Sequence, residues 1–407
     1  MRILDRLAYA GLLLLVLLAP LPLGSNREWS WSLAAVMSGA LALLWALSRL
    51  RPVAPLRVRL HPLIPALFAL ACAWVVVQAA TWAPVAWHHP LWPLTSEALQ
   101  QDLPGRVSLA AEESWTALLR LLSYALVFLL ALQFGAERRR AQAVFGWLTL
   151  AGLAYGMFGL AAYWGDYHAG WLFGERVLAP DVRGTFINRN HFATWQGLTI
   201  LCAIAWFHQR MAKPEARPYA LPQDREARVE AFILAAWKPL TGLLLMVAAL
   251  ILTHSRGGFV ATLAGVIALL ALLDRRARGG RASSRALVVS ALAVAGIAFY
   301  LTSEVLLDRI NRTDITTEER LAVFANVNRA IGDNPVLGFG YGTFADSFRL
   351  YDQNEAAVHY DRAHNTWLEN AFELGLPAAL ALYLALGGLA LTCWRGSCRR
   401  WRCRMRW

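Results

Sequence analysis

Charged side chains are scarce in this sequence. Asp, Glu, Lys and Arg together make up 16% of the 407 residues, whereas soluble proteins carry about 25%. Hydrophobic residues make up 57% of the chain, and the mean hydropathy is +0.41. This balance excludes an ordinary soluble domain and is typical of a membrane protein with several spans.

Cysteine is also scarce, with five residues in the whole chain. Cys72 and Cys202 fall inside apolar runs, and the other three, Cys393, Cys398 and Cys403, are spaced five apart near the C-terminus. A zinc site needs closer pairs of ligands. We therefore predict no metal site, and no cofactor is indicated either.

Long apolar runs recur along the chain, and about 20 residues are enough for one helix to cross the hydrocarbon core. We predict ten spans, at 7–23, 30–48, 62–81, 115–134, 142–163, 191–208, 239–254, 257–273, 286–303 and 366–392. The first is expected to be retained rather than cleaved as a signal peptide, because no small-residue cleavage site follows it. The expected fold is all-α: a single membrane domain over residues 1–407, with a large, partly helical polar loop at 304–364.

The distribution of basic residues predicts the orientation of these spans. With both termini in the cytoplasm, the inner segments contain 26 Lys and Arg residues and the outer segments contain 12. This excess agrees with the positive-inside rule. It also accounts for the net charge of +12 through contact with anionic lipid headgroups, without a nucleic-acid partner.

Arg256 is the most informative charge, because it lies at the predicted start of a span, where the helix dipole disfavours a cation. Ser255 can cap that helix, and Gly257 leaves its first N–H groups open to an approaching anion. An arginine beside a helix N-terminus suits a phosphate, since its fork of donors matches two oxygens. The alternative is an arginine that reaches the outer interface or pairs with a loop carboxylate.

A second outer segment, residues 183–191, leads directly into the sixth predicted span. It contains Arg183, Asn188 and Asn190, and Arg176 and Arg189 compete with Arg183 for an anion-binding role. Loop arginines are often merely solvated or paired, so the residue type alone leaves both interpretations open.

The pair His364-Asn365 lies where the long polar loop meets the last predicted span. An imidazole titrates near neutrality and can accept a proton from a hydroxyl group. The alternative is a structural cap, and His359 is a competing candidate. Upstream, the run Gly338-Phe339-Gly340-Tyr341-Gly342 predicts a tight backbone path near a ligand. A dinucleotide site is excluded, because no βαβ unit surrounds these glycines.

Taken in order, these motifs resemble the O-antigen ligase and polymerase superfamily of bacterial membrane glycosyltransferases. The resemblance rests on Arg183-Gly184-Thr185-Phe186, Ser255-Arg256-Gly257, Asn334-Pro335-Val336-Leu337-Gly338-Phe339-Gly340, and His364-Asn365 followed by Gly375. The chain departs from the usual pattern in having Gly375-Leu376-Pro377-Ala378 where relatives often have a second glycine. Pro377 is expected to kink the last span.

The resemblance implies an enzyme of the bacterial inner membrane whose active site faces the periplasm. It would transfer a glycan from an undecaprenyl-diphosphate carrier to a hydroxyl group, without a metal. The acceptor would be the lipid A core in a ligase, a polysaccharide in a polymerase, or a protein in an oligosaccharyltransferase. Arg183, Arg256 and His364 would be catalytic. Predicted substrate contacts are Asn365, Asn188, Asn190, Ser255, Gly257, Arg320 and Gly340.

A transporter of lipid-linked glycan is the alternative from another class. It would be expected to have charges deep inside its spans, or inverted repeats with broken helices. The sequence contains few such charges and no internal repeat, which favours the enzyme.

Overall fold

The protein is helical throughout the part of the chain that its computed structural model describes. The described residues are 2–50, 58–165, 181–211, 225–274, 321–352 and 360–403, and none of them forms a strand. Their α-helices are α1 (Arg2–Leu18), α2 (Glu28–Leu47), α3 (Leu63–Ala79), α4 (Leu91–Leu99), α5 (Ala111–Gly135), α6 (Arg138–Trp164), α7 (Arg189–Met211), α8 (Arg225–Ile251), α9 (Arg256–Asp274), α10 (321–333), α11 (Phe344–Ser347), α12 (Thr366–Leu374) and α13 (Leu376–Cys403). The predicted all-α fold is confirmed for these residues.

Four helices of the described ranges are long and apolar enough to cross a membrane: Glu28–Leu47, Ala111–Gly135, Arg138–Trp164 and Leu376–Arg395. Three shorter apolar helices are Leu63–Ala79, Trp237–Ile251 and Arg256–Leu270. Large apolar side chains on the helices are exposed, including Val36 at 70% and Leu244 at 68%, as expected for faces that meet lipid. The count of ten spans and their orientation stay predictions, and the predicted span at 286–303 lies outside the described residues.

The last predicted span, 366–392, is wrong in one respect, because it is two helices rather than one kinked helix. The chain breaks at Gly375, whose φ of 75° and ψ of 158° end α12 before α13 begins. A Cβ at Gly375 would overlap the carbonyl of Val336. Pro377 is the second residue of α13, where its missing N–H has no helical partner to lose, so it causes no interior kink.

The described chain divides into two compact units. Unit 1 comprises Met1–Arg57 and Leu126–Leu306, and unit 2 comprises Val58–Ala125 and Leu307–Trp407. The single membrane domain stays a prediction, and each unit has its own packing.

In unit 1, α6 packs against α7 and α8, and α7 also packs against α9. Small residues allow these close approaches, because a Cβ at Gly156 would meet the Gln196 side chain and one at Gly197 would meet Thr262. Met246 and Leu250 of α8 form a buried core with residues of α7. These contacts hold the ends of α7, α8 and α9 in place.

In unit 2, α3 packs along α13, and the segments around α10, α11 and α12 form a core of their own. Phe339 stacks on Phe372 at 4.5 Å between ring centroids, and Phe344 stacks on Phe348 at 4.9 Å. The aromatic cluster shows that part of the predicted polar loop is a folded structure with a helix at 321–333.

Candidate active site

Two of the three predicted motifs meet in unit 1. The segment that precedes α7 lies against the turn between α8 and α9, where the N–H of Val182 donates to the carbonyl of Leu252 at 3.0 Å. The Ser255 hydroxyl donates to the side-chain oxygen of Asn190 at 2.8 Å. These bonds bring the segment containing Arg183 to the segment containing Arg256.

A buried carboxylate, Asp181, organises this meeting point. Its side chain is 4% exposed, its Oδ2 accepts from Nη1 of Arg189 at 2.7 Å, and its Oδ1 lies 2.7 Å from Nδ1 of His254. Nη2 of Arg183 lies 3.9 Å from the same Oδ2. One anion therefore holds three side chains from both segments.

Arg183 is partly buried and only partly paired. Its Nη1 donates to the carbonyl of Ile187 at 2.9 Å, and its Nε is buried without an acceptor among the described residues. Burial lowers the pKa of Arg183, and the neighbouring Asp181 opposes that effect. The side chain thus retains donors for a further anion.

Arg256 is placed as predicted, at the first residue of α9. The Ser255 hydroxyl caps that helix by accepting from the N–H of Gly258 at 3.2 Å. Gly257 is exposed and has open space where a Cβ would be. The Arg256 side chain is exposed and makes no ion pair within the described part of the chain. The carboxylate of the neighbouring loop, Asp181, pairs with Arg183 and Arg189 instead.

Asn188 and Asn190 are both exposed at the start of α7. The side-chain oxygen of Asn188 accepts from the N–H of Asn190 at 2.8 Å, which caps the helix. Gly184, with a φ of 54°, lies against the ring of Phe192. The family-like motif in this segment therefore has a clear folding role beside its predicted binding role.

His364 and Asn365 lie in unit 2, at the start of α12. The Asn365 side chain, not the imidazole, caps the helix, because it accepts from the N–H groups of Trp367 at 3.1 Å and Leu368 at 3.4 Å. His364 has a φ of 53° and an exposed side chain. The structural alternative for this pair thus applies to Asn365 and leaves the imidazole open to solvent.

The turn that carries His364 is held from behind by Glu369. One carboxylate oxygen of Glu369 accepts from Arg362 at 2.8 Å, and the other accepts from the N–H of Ala363 at 3.1 Å. Tyr383 of α13 donates to the carbonyl of Thr366 at 3.1 Å. These bonds position the histidine turn on the end of α12.

The alternating glycines are explained by packing. A Cβ at Gly338 would overlap the backbone of Glu373, one at Gly340 would overlap Ser108, and one at Gly342 would meet Ala117 at 2.5 Å. The N–H of Gly340 donates to the carbonyl of Glu373 at 3.0 Å, and its own carbonyl accepts from Thr343. Gly340 is buried with both backbone groups engaged, so packing accounts for the tight path, and its predicted contact with substrate stays a prediction.

Two further polar residues of this region, Gln78 and Glu373, are buried. Gln78 of α3 donates to the carbonyls of Leu337 at 2.7 Å and Glu373 at 2.9 Å. Glu373 is 2% exposed, and its carboxyl oxygen accepts from the N–H of Phe344 at 3.0 Å. Burial raises the pKa of Glu373 to about 8. An amide inside an apolar run is the signal that could have found Gln78.

Asp181 and His254 were also missed as site residues. The signal for Asp181 was an acid close in sequence to Arg183 and Arg189, and its third partner, His254, lies 73 residues further along the chain. Arg320, Arg176 and His359 lie outside the described residues, so the predicted contact of Arg320 stays a prediction.

Comparison with known proteins finds a family match over part of the chain. A family model described as O-antigen ligase matches residues 241–383, about a third of the chain. This segment is similar to the O-antigen ligase family. The resemblance to the O-antigen ligase and polymerase superfamily is thereby confirmed. A comparison with curated proteins finds no match, and a comparison with solved structures finds none either.

The matched segment contains Arg256 and His364 but not Arg183. Arg183 is connected to it by geometry, through the bonds of Asp181 and Asn190 to His254 and Ser255. The family match and the contacts of unit 1 overlap in the segment that contains His254, Ser255 and Arg256.

Proposed function

We propose that this protein is a metal-independent membrane glycosyltransferase. It transfers a glycan from an undecaprenyl-diphosphate carrier to a hydroxyl group on the periplasmic side of the bacterial inner membrane. The preferred acceptor is the lipid A core, as in an O-antigen ligase. The observation that carries the proposal is the family match over 241–383, which includes both Arg256 and His364.

The two arginines suit a diphosphate leaving group. When the bond from the anomeric carbon to the diphosphate oxygen breaks, its electron pair remains on the diphosphate and negative charge develops there. Guanidinium groups held in a poorly solvated site stabilise that charge. Arg183 is held by Asp181 and Ile187, while Arg256 is exposed at the N-terminus of α9. Arg183 and Arg256 are therefore assigned to the donor, with Asn188, Asn190, Ser255 and Gly257 around them.

His364 is assigned to the acceptor. The acceptor hydroxyl oxygen forms the new bond to the anomeric carbon, and its proton passes to the imidazole of His364. The exposed ring and the turn fixed by Glu369 support this role, since a general base must be accessible and oriented. Asn365 is both the helix cap and the proposed neighbour of the acceptor, and Gly340 and Arg320 remain proposed substrate contacts.

Two other enzymes use the same donor chemistry. An O-antigen or exopolysaccharide polymerase has a polysaccharide acceptor, and a protein oligosaccharyltransferase has a protein acceptor. A non-enzymatic transporter of lipid-linked glycan would move its substrate without forming a glycosidic bond. Reconstituted vesicles supplied with lipid-linked glycan and each acceptor separate all of these by their products.

The first prediction concerns Arg256 and His364. Replacing either by Ala removes a charge-stabilising or proton-accepting group, and we expect the rate of glycan transfer to fall at least about 100-fold. The measurement is product formation in membranes supplied with lipid-linked glycan and lipid A core.

His208→Ala and Arg210→Ala are the matched controls, because both side chains are exposed at the other end of α7. They are expected to transfer glycan at the wild-type rate. Full transfer by Arg256→Ala and His364→Ala would reject the assignment of these residues.

A further inference from the structure

The group around Asp181 offers more donors than the proposed function uses. Asp181 is buried, and a buried carboxylate is costly unless it is paired and hydrogen-bonded. His254 and Arg189 each lie 2.7 Å from it, and Arg183 lies 3.9 Å away. These partners compensate the charge, and in return the carboxylate fixes where their side chains lie.

The contact with Asp181 determines which nitrogen of His254 is available. An ionised carboxylate only accepts hydrogen bonds, so Nδ1 carries the proton in that contact. The oxygens of a diphosphate also only accept, so contact with them takes the imidazolium form, whose Nε2–H lies on the other side of the ring. The side chain is 19% exposed. His254 also has a φ of 50°, which is uncommon for a residue with a Cβ and is often found at functional sites.

His254 lies on the donor side of the proposed reaction. It is two residues before Arg256 and shares Asp181 with Arg183. In a single displacement the acceptor hydroxyl approaches the sugar from the face opposite the leaving group. A side chain grouped with both diphosphate-binding arginines is therefore placed to contact the leaving group and not to deprotonate the acceptor.

The charges of this group match a diphosphate diester. Arg183, Arg189 and the His254 imidazolium supply three positive charges, and Asp181 supplies one negative charge. The remaining two positive charges equal the two negative charges of a polyprenyl-diphosphate sugar. The buried Nε of Arg183 has no acceptor among the described residues, and both arginines beside Asp181 are about one third exposed.

We propose that Asp181 is a positioning residue that holds His254 and Arg189 beside Arg183, and that His254 and Arg189 are two further contacts to the diphosphate of the donor. The proposal rests on the proposed function, since it concerns the same donor. It adds Asp181 and His254 to the donor site, assigns Arg189 beside Arg183 instead of in competition with it, and gives the buried carboxylate a role in binding.

Binding by the purified full-length protein in detergent tests this proposal without requiring turnover. The probe is undecaprenyl diphosphate, with phosphatidylglycerol as the comparison lipid that carries a single phosphate. We expect His254→Ala and Asp181→Asn each to raise the Kd for undecaprenyl diphosphate about tenfold, through loss of a charge-assisted contact. His254→Gln should recover part of the affinity, because its amide N–H can replace Nε2–H.

Arg210→Gln, at the opposite end of α7, is the control and should bind as the wild type does. Donor and acceptor KM values measured in the transfer reaction provide a second readout: the variants should raise the donor KM and leave the acceptor KM unchanged. If Asp181→Asn fails to fold, His254→Ala and Arg189→Gln decide the question, because their side chains are partly exposed.

Wild-type affinity and donor KM in His254→Ala and Arg189→Gln would overturn the inference, and so would equal binding of phosphatidylglycerol. If the wild-type protein transfers glycan while these variants match it, only this inference fails. If the wild-type protein binds the diphosphate but forms no glycosidic bond, the proposed function fails and the diphosphate site remains.

Discussion

At the scale of single residues, the two candidate histidines have the same local backbone arrangement. His254 and His364 both have a positive φ, and each is followed at once by a residue that caps a helix, Ser255 or Asn365. The left-handed turn directs the chain into the helix and leaves the imidazole outside it. What distinguishes them is their partner, because Asp181 holds the ring of His254, whereas the His364 side chain is exposed.

Glu373 leads to a prediction about pH. Its pKa is about 8 in the folded protein because of burial, against an ordinary value of 4.5. Between these values the folded chain holds a proton that the unfolded chain has released, so stability is fully present below about pH 4.5 and falls as pH rises toward about 8. Glu373→Gln keeps a carbonyl that can accept from Phe344 and removes the titration.

We therefore expect the free energy of unfolding of the wild type to fall between pH 5.5 and pH 8.5 by about 1 kcal/mol or more beyond the fall in Glu373→Gln. Melting temperatures measured at both pH values report this difference. Glu97→Gln, an exposed carboxylate of the same unit, should behave as the wild type. An unchanged pH slope in Glu373→Gln would show that this carboxyl is not the source.

At the scale of helices, capping explains much of the motif sequence. Ser255, Asn188 and Asn365 each accept from an N–H of the first turn of their helix. These residues were predicted to contact substrate, and their contacts show that a folding role is present whether or not substrate is bound. A substitution has to separate the two roles.

Asn365 allows that separation. Ser also caps helices well, so Asn365→Ser should retain the wild-type melting temperature, whereas Asn365→Ala should lose about 1 kcal/mol of stability. If the Asn365 amide also contacts the acceptor, both variants will raise the acceptor KM. A Ser variant with wild-type stability and wild-type KM would limit Asn365 to capping.

At the scale of the whole molecule, the predicted orientation can be tested through the scarcity of cysteine. After the five native cysteines are replaced, Val85→Cys and Leu50→Cys introduce thiols at positions that are 82% and 68% exposed. The charge distribution places Val85 outside and Leu50 inside the cell. A membrane-impermeant maleimide should label Val85→Cys in intact spheroplasts and Leu50→Cys only after permeabilisation. The reverse pattern would invert the predicted orientation.

Local patterns predicted the helices well. The apolar runs located them, and the positions of Ser255 and Arg256 at the start of α9 followed from residue type alone. The break at Gly375 was not predictable in this way. It depends on the approach of Val336, which is distant in sequence and close in space.

The sequence by itself determined an apolar helical chain, the polar segments between its helices and the order of motifs that resembles O-antigen ligases, because each depends on composition or short-range spacing. Only the tertiary structure decided that Asp181 joins Arg183, Arg189 and His254, that Gly340 packs against Ser108, and that Gln78 and Glu373 are buried together. Those outcomes depend on contacts between residues tens to hundreds of positions apart. The partner of a buried polar group is the one that packing brings within hydrogen-bond distance.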